Sequence, residues 1–359
     1  MSNVKERIIS FPHMGNYHIP VSKLVEDTLD GKVIIAPPIT RKTIDLGTKH
    51  SPEFVCVPFK YNLGNYIEAL DNGANFLVQA GGGCRFGYYG EVQEQILRDL
   101  GYDFDFFKIV DTLDVNPISF YKKFKVVNSN LNFKQFYSSF RLAYSHVNAI
   151  DNIEKYIREN IGFEINEGSF EKLEKNFHND LSRTNTPKEV NSVYEKYLNE
   201  FKQIPIDKPK NPLKVGIVGE LYVLMEPFSN YFIEKELAKK GIEVRRYITA
   251  SYLLFSKDHS EKKIMKEANP YLKYAIGADG TDSVAKSIQL SKEGFDGIIH
   301  VKPFGCTPEV NSMPPVQKVS RDYNIPILYF SFDSQTSETG VKTRIEAFYD
   351  MLMMRKEII

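Results

Sequence analysis

Cysteine is scarce: the chain of 359 residues carries three, Cys56, Cys84 and Cys306. So low and odd a count excludes a disulfide framework and leaves the thiols for metal, catalysis or burial. An excess of charge of one sign is missing too. Lys and Arg total 46 against 46 Asp and Glu, the pI is near 7.1, and no Lys/Arg block occurs. There is thus no basic field to draw the chain onto nucleic acid or an acidic membrane. Long apolar runs are also lacking. Nothing approaches the roughly 18 apolar residues of a membrane span, and Met1 to Gly15 has no signal-peptide apolar region. These absences predict a soluble, cytoplasmic protein with neither nucleic acid nor membrane as partner. What is present is core-forming material, 42% hydrophobic and 13% aromatic, enough for two domains.

Short β-branched or aromatic runs bounded by Gly and Pro predict buried strands at Val33–Ala36, Phe54–Val57, Phe76–Gln79, Val215–Val218, Val244–Ile248, Ile298–Val301 and Ile327–Phe332. Helical patterns lie between them at Tyr66–Leu70, Val92–Leu100, Phe228–Lys239, Val284–Lys292 and Ile345–Met354. Such alternation argues for right-handed βαβ units and parallel sheets. From about Pro117 to Phe201 the strand signal disappears. Phe133, Phe136, Phe140, Ala143, Val147, Ile150 and Ile157 predict one long amphipathic helix. Thr186-Pro187-Lys188-Glu189 predicts a second helix start, with Thr as N-cap, Pro at N1 and Glu at N3. The expectation is an α/β fold: two Rossmann-like parallel-sheet halves, 1–116 and 213–359, with a helical segment, 117–205, between them. The halves also look alike. Gly73 to Val78 leads to Gly83-Cys84, then Gln93 and Arg98-Asp99, while Gly294 to Ile299 leads to Gly305-Cys306, then Gln317 and Arg321-Asp322.

All three cysteines fall near the carboxyl ends of expected strands, the edge where loops converge in open α/β sheets. Their spacing excludes a zinc finger or ribbon. Three soft thiolates from separate loops fit an iron–sulfur cluster with one iron bearing a non-protein ligand. Two other readings stand beside it. Free cysteine often behaves as a small buried hydrophobe, and Cys56, between valines, is the one most open to that account. A nucleophilic cysteine would want a histidine, and His300 lies on the strand leading to Cys306.

The segments Pro58 to Asn65 (PFKYNLGN), Gln79 to Glu91 (QAGGGCRFGYYGE) and His300 to Glu309 (HVKPFGCTPE) carry a resemblance. They look like the CoA protein activase family, related to the D-component of 2-hydroxyglutaryl-CoA dehydratase and to benzoyl-CoA reductase-like proteins. The resemblance covers both α/β halves. It implies a [4Fe-4S]-type cluster held by three cysteines, at the positions matched by Cys56, Cys84 and Cys306, for electron transfer or reductive and dehydratase chemistry. It further implies a separate ATP-hydrolysing activator as electron donor and a CoA thioester or other small molecule as substrate. The chain could thus be a 2-hydroxyacyl-CoA dehydratase-like enzyme or a reductase component. The alternative is a non-catalytic accessory protein that binds or delivers a cluster or partner, and a third reading is a metal-free α/β binding protein. The activator's own phosphate motif is not found. Ala278 to Ser283 comes near it, but reads as a helix start capped by Thr or Ser before Val284.

Remaining features are weighed by their surroundings. Lys214 to Glu220 has Gly216 and Gly219 near a strand end but no GxGxxG fingerprint, so chain turning is preferred to dinucleotide binding. Glu220 and Glu226 are expected near the cysteine edge, as loop carboxylates or acid/base groups. Arg85 and Lys302 flank cysteines and could offset cluster charge or bind an anion. Thr336 or Ser337 should cap the terminal helix. The long central helix could supply a homodimer face.

Overall fold

The structure is a computed structural model and describes residues 6–80, 84–110, 117–256 and 261–357. Two four-stranded, all-parallel sheets carry the fold, as the alternation of strand and helix predicts. Contacts divide the chain into two compact units, residues 1–148 with 181–191, and residues 149–180 with 192–359.

The first unit runs β1 Ile8–Ser10, α1 His18–Leu29, β2 Lys32–Val33, α2 Arg41–His50, α3 Val57–Asp71, β3 Phe76–Ala80, α4 Tyr89–Asp99, β4 Asp105–Val110, α5 Pro117–Val127 and the first part of α6 Phe133–Asn160. Its sheet order is β2-β1-β3-β4. Alternate residues of β3 serve opposite faces. Phe76 and Val78 join Val25, Leu29, Phe124 and Phe136 in one core, while Leu77 joins Phe59, Leu63, Tyr66 and Leu97 in another. Helix α3 is buried from Val57 through Leu70. It approaches α2 so closely that a Cβ on Gly47 would stand 1.7 Å from the Lys60 carbonyl oxygen, and one on Gly64 1.9 Å from that of Thr43. Only glycine fits at that crossing.

The second unit contains the end of α6, α7 Ser169–Leu181, α8 Pro187–Gln203, β5 Leu213–Gly219, α9 Leu221–Met225, α10 Ile233–Ala238, β6 Ile242–Arg246, α11 Glu261–Ala268, α12 Gly280–Lys292, β7 Gly297–Pro303, α13 Thr307–Asp322, β8 Ile327–Phe332 and α14 Glu338–Glu357. The start of α8 is assigned to the first unit. The sheet order β6-β5-β7-β8 repeats that of the first sheet. Cys84 and Cys306 each follow the third strand of their sheet, the relation the paired segments suggest. The expected capping box at Thr186 is present: the Glu189 N–H donates to Thr186 Oγ1 at 3.2 Å, and the Thr186 N–H donates to Glu189 Oε2 at 3.2 Å.

Several local expectations need correction. Phe54–Val57 is not a strand, because α3 begins at Val57 and Cys56 is its N-cap. The strand expected over Val33–Ala36 ends at Val33. Strands β1 and β4 carry too little periodic signal to be seen, one being three residues long and the other opening on Asp105 and containing Lys108. The helix expected over Phe228–Lys239 is broken, since Tyr231 and Phe232 both adopt φ of +57°. That left-handed pair costs about 1–2 kcal/mol per residue. It leaves a 3-10 turn, Pro227–Asn230, ahead of α10. Helix α12 starts at Gly280, not Val284. Its cap position is Asp279, and Thr281 Oγ1 accepts a bond from the Ile276 N–H instead.

One buried histidine makes the first unit sensitive to acid. His146 of α6 is 1% exposed, with Nε2 2.7 Å from Thr184 Oγ1. Burial holds its pKa down at about 4, below the ordinary 6.5. The folded chain therefore resists a proton that the unfolded chain accepts, so its stabilising effect is full above pH 6.5 and is lost as pH falls toward 4. The loss reaches about 3 kcal/mol. Urea midpoints across that range should fall for the wild type and fall less for His146→Gln; parallel curves would contradict this assignment.

Candidate functional site

In open sheets with this strand order, ligands gather beyond the carboxyl ends of the strands, where the order reverses. That edge lies between β1 and β3 in the first unit and between β5 and β7 in the second. The chain brings thiols to both.

In the first unit, Cys56 occupies the N-cap of α3 without using its side chain as a cap, and Pro58 stands in the first turn. Its half-buried Sγ lies 2.7 Å from the Tyr89 hydroxyl. Tyr89 opens α4 and is fixed by rings on two sides, edge-on to Phe59 at 4.9 Å and tilted against Phe86 at 5.3 Å. Burial raises the Tyr89 hydroxyl well above the usual tyrosine range, and the charges of Cys56 and Cys84 push the same way. Tyr89 therefore keeps its proton at neutral pH and can donate it to a thiolate. Cys84 is exposed, and its Sγ accepts the Phe86 N–H at 3.5 Å. Tyr89 thus contacts Cys56 directly and feels the charge of Cys84. The glycines preceding Cys84, Gly81 to Gly83, lie outside the described residues. Arg85 is exposed.

In the second unit, Cys306 is the N-cap of α13, again without a side-chain cap bond and with Pro308 in the first turn. Gly305 supplies the φ of +74° that turns the chain from β7 into this helix. Each of these long helices directs its positive end toward its capping sulfur, which favours negative charge there. Under the loop, Glu309 is fully buried and collects three partners. His300 Nε2 lies 2.7 Å from Oε2, Ser283 Oγ donates to Oε1 at 3.1 Å, and Ser312 Oγ donates to Oε2 at 3.1 Å. His300 is therefore a hydrogen-bonded core residue bound to Glu309 and Ser312. Lys302 is also buried, its ammonium pushed down by desolvation and partly restored by Cys306 and Glu309.

Glu220 and Glu226 prove to be caps. Glu220 accepts from the Tyr222 and Val223 N–H groups at 3.1 and 3.0 Å, and Glu226 accepts from Phe228 at 3.2 Å. Burial drives the Glu220 carboxyl up to about 8, against the pull of its two backbone donors and with help from Asp279 and Glu309. The glycines before it are needed for packing: a Cβ on Gly219 would meet the Val301 carbonyl oxygen at 1.8 Å, and one on Gly216 the Leu290 side chain at 2.3 Å. Ser337 caps α14, accepting the Gly340 N–H at 3.4 Å.

The sequence reading missed Tyr89 and the Glu309 network. A cue to the helix-capping role of Cys56 and Cys306 was present, since both stand in a Cys-x-Pro pattern, Cys56-Val57-Pro58 and Cys306-Thr307-Pro308. Proline two residues on marks a helix's first turn.

These features define a pair of α/β units with cysteines beyond the carboxyl edges of their sheets. Residues 179–352 match the family model of the 2-hydroxyglutaryl-CoA dehydratase D-component. The match includes the β5–β8 sheet and Cys306, and supports the resemblance to that family. No curated protein matches the chain. Among the described residues, no helix is long and apolar enough to cross a membrane.

Removing the Glu309 carboxylate leaves Ser283 Oγ without its acceptor and takes from His300 its shortest contact, while Ser312 keeps the Glu309 backbone carbonyl, so Glu309→Ala should cost about 2–4 kcal/mol. Glu309→Gln keeps the shape and should cost less. Chemical unfolding of both variants measures the difference, and equal small losses would show that the network contributes little.

Proposed function

We propose that the chain is an iron–sulfur protein of the 2-hydroxyacyl-CoA dehydratase superfamily, related also to CoA protein activases and benzoyl-CoA reductase-like proteins. In this reading Cys56, Cys84 and Cys306 hold a [4Fe-4S]-type cluster. The observation that carries it is the D-component match over the sheet whose third strand delivers Cys306 to a helix N-terminus. The donor set fits the group. Soft thiolates suit iron–sulfur clusters, three leave one iron for a non-protein ligand, and helix N-termini at Cys56 and Cys306 favour the charged sulfur.

A bound cluster supplies a one-electron carrier. The chain's own residues do the rest. Tyr89 offers an O–H to Cys56 Sγ, and the Phe86 N–H bonds Cys84 Sγ; hydrogen bonds to ligand sulfurs tune reduction potential. Buried Lys302 places positive charge within reach of Cys306. Within four residues of each cysteine in sequence stands an exposed aromatic residue: Phe54 is 91% exposed, Tyr88 76% and Phe304 69%. A separate ATP-driven activator that delivers electrons is the partner class this reading implies. A CoA thioester or related small molecule is the substrate class this reading implies.

The test is anaerobic purification with iron and sulfide analysis and visible absorbance. Wild-type protein should carry iron, sulfide and a charge-transfer band. Cys84→Ser and Cys306→Ser should lose stable incorporation while keeping their far-UV and near-UV circular dichroism, because serine oxygen is a poor ligand for cluster iron. Unchanged iron and absorbance in both variants would make those cysteines structural. The isolated, cluster-loaded chain should neither bind Mg-ATP at micromolar concentration by calorimetry nor release phosphate. Tight binding would reassign Asp279-Gly280-Thr281 from helix start to nucleotide site.

A further inference from the structure

We propose that Glu154, Glu174 and His178 form a binding site for a divalent transition-metal ion of the zinc type. The site lies wholly in the second unit and involves none of the cysteines. One ligand atom from each of the three side chains lies within 4.8 Å of the others. Glu174 and His178 are four residues apart on α7, so both project from one helix face. Glu154 comes across from α6. A mixed carboxylate and imidazole set of this kind is what zinc and its neighbours prefer, with three protein ligands leaving a position for water.

The surroundings fix the ligands and leave a charge to be met. Glu154 Oε2 is held by Arg158 Nη1 at 3.2 Å and by Arg246 Nη2 at 3.5 Å, and both guanidiniums also reach Glu234, at 3.8 and 3.1 Å. These contacts orient the Glu154 carboxylate. Two arginines balance Glu154 and Glu234. Glu174 is the third carboxylate, and it accepts no hydrogen bond from the described residues. With two guanidiniums facing the three carboxylates Glu154, Glu174 and Glu234, one negative charge is left over when all three are ionised. A cation meets that charge. Arg158 Nη2, buried and without an acceptor among the described residues, would gain one in a water on the ion.

The experiment uses the full-length Cys56→Ser/Cys84→Ser/Cys306→Ser variant, in which no thiol can bind metal, so its outcome is independent of the cluster reading. Calorimetry with Zn2+ should show one site with sub-micromolar affinity, and Co2+ should give visible ligand-field bands without the near-ultraviolet thiolate band. Zn2+ should also raise the thermal midpoint. Glu174→Gln and His178→Ala should each weaken binding by at least about 100-fold, whereas Glu171→Gln, exposed on the same helix, should not. Without metal, Glu174→Gln should be at least as stable as its parent, since it removes an uncompensated carboxylate; this separates loss of a ligand from failure to fold. Absence of saturable binding in the thiol-free protein, or unchanged affinity in Glu174→Gln and His178→Ala, would overturn the site.

Discussion

A parallel sheet covered by helices on both faces must satisfy every backbone group internally and bury its side chains on either side. That constraint governs what this chain can do with its polar chemistry. Strand β7 is buried from Gly297 through Pro303, and α3 is buried for nearly all of its length. Reactive groups are accommodated where strands end and helices begin. Cys84 and Cys306 follow the third strands of two sheets with the same order, while Cys56 reaches the corresponding region of its unit by capping α3. Helix caps, close glycine contacts and buried hydrogen-bond networks all serve the placement of these ends.

The polar residues that look mechanistic in the sequence divide on physical grounds. Glu220 and Glu226 accept backbone N–H groups and so complete helix starts. His300, on a fully buried strand, is tied to Glu309 and two serines beneath the Cys306 loop share that carboxylate. Such a network is costly to leave half-satisfied and therefore holds the loop in one arrangement. Tyr89 is different, since its hydroxyl faces a sulfur and keeps its proton. That contact lets it influence the chemistry of the Cys56 thiol.

Much of this was legible because parallel strands and amphipathic helices write themselves as patterns. The apolar runs at Phe76–Gln79, Val215–Val218, Ile298–Val301 and Ile327–Phe332 became strands, the spacing from Phe133 to Ile157 became one helix, and the capping box at Thr186 formed as written. The failures have local causes. Phe54–Val57 has a strand's composition, but Pro58 belongs to a helix's first turn and turns Cys56 into a cap. Strand β1 is too short for periodicity, and β4 carries charge at Asp105 and Lys108. Two consecutive left-handed residues, Tyr231 and Phe232, broke a helix that no glycine announced. Within the site, the cysteines could be singled out by scarcity and glycine neighbours. Tyr89 and Glu309 could not, since their importance rests on contacts with Cys56 and His300 that are distant or non-periodic in sequence.

Whether Cys56, Cys84 and Cys306 hold a cluster is read from the Mössbauer spectrum of protein reconstituted with 57Fe under anaerobic conditions. The spectrum should be that of a thiolate-ligated four-iron cluster with one iron distinct from the other three, and it should be absent when all three cysteines are replaced by serine. A spectrum showing only iron in oxygen and nitrogen coordination, or a cluster spectrum unaltered by that replacement, would contradict cluster binding by these cysteines.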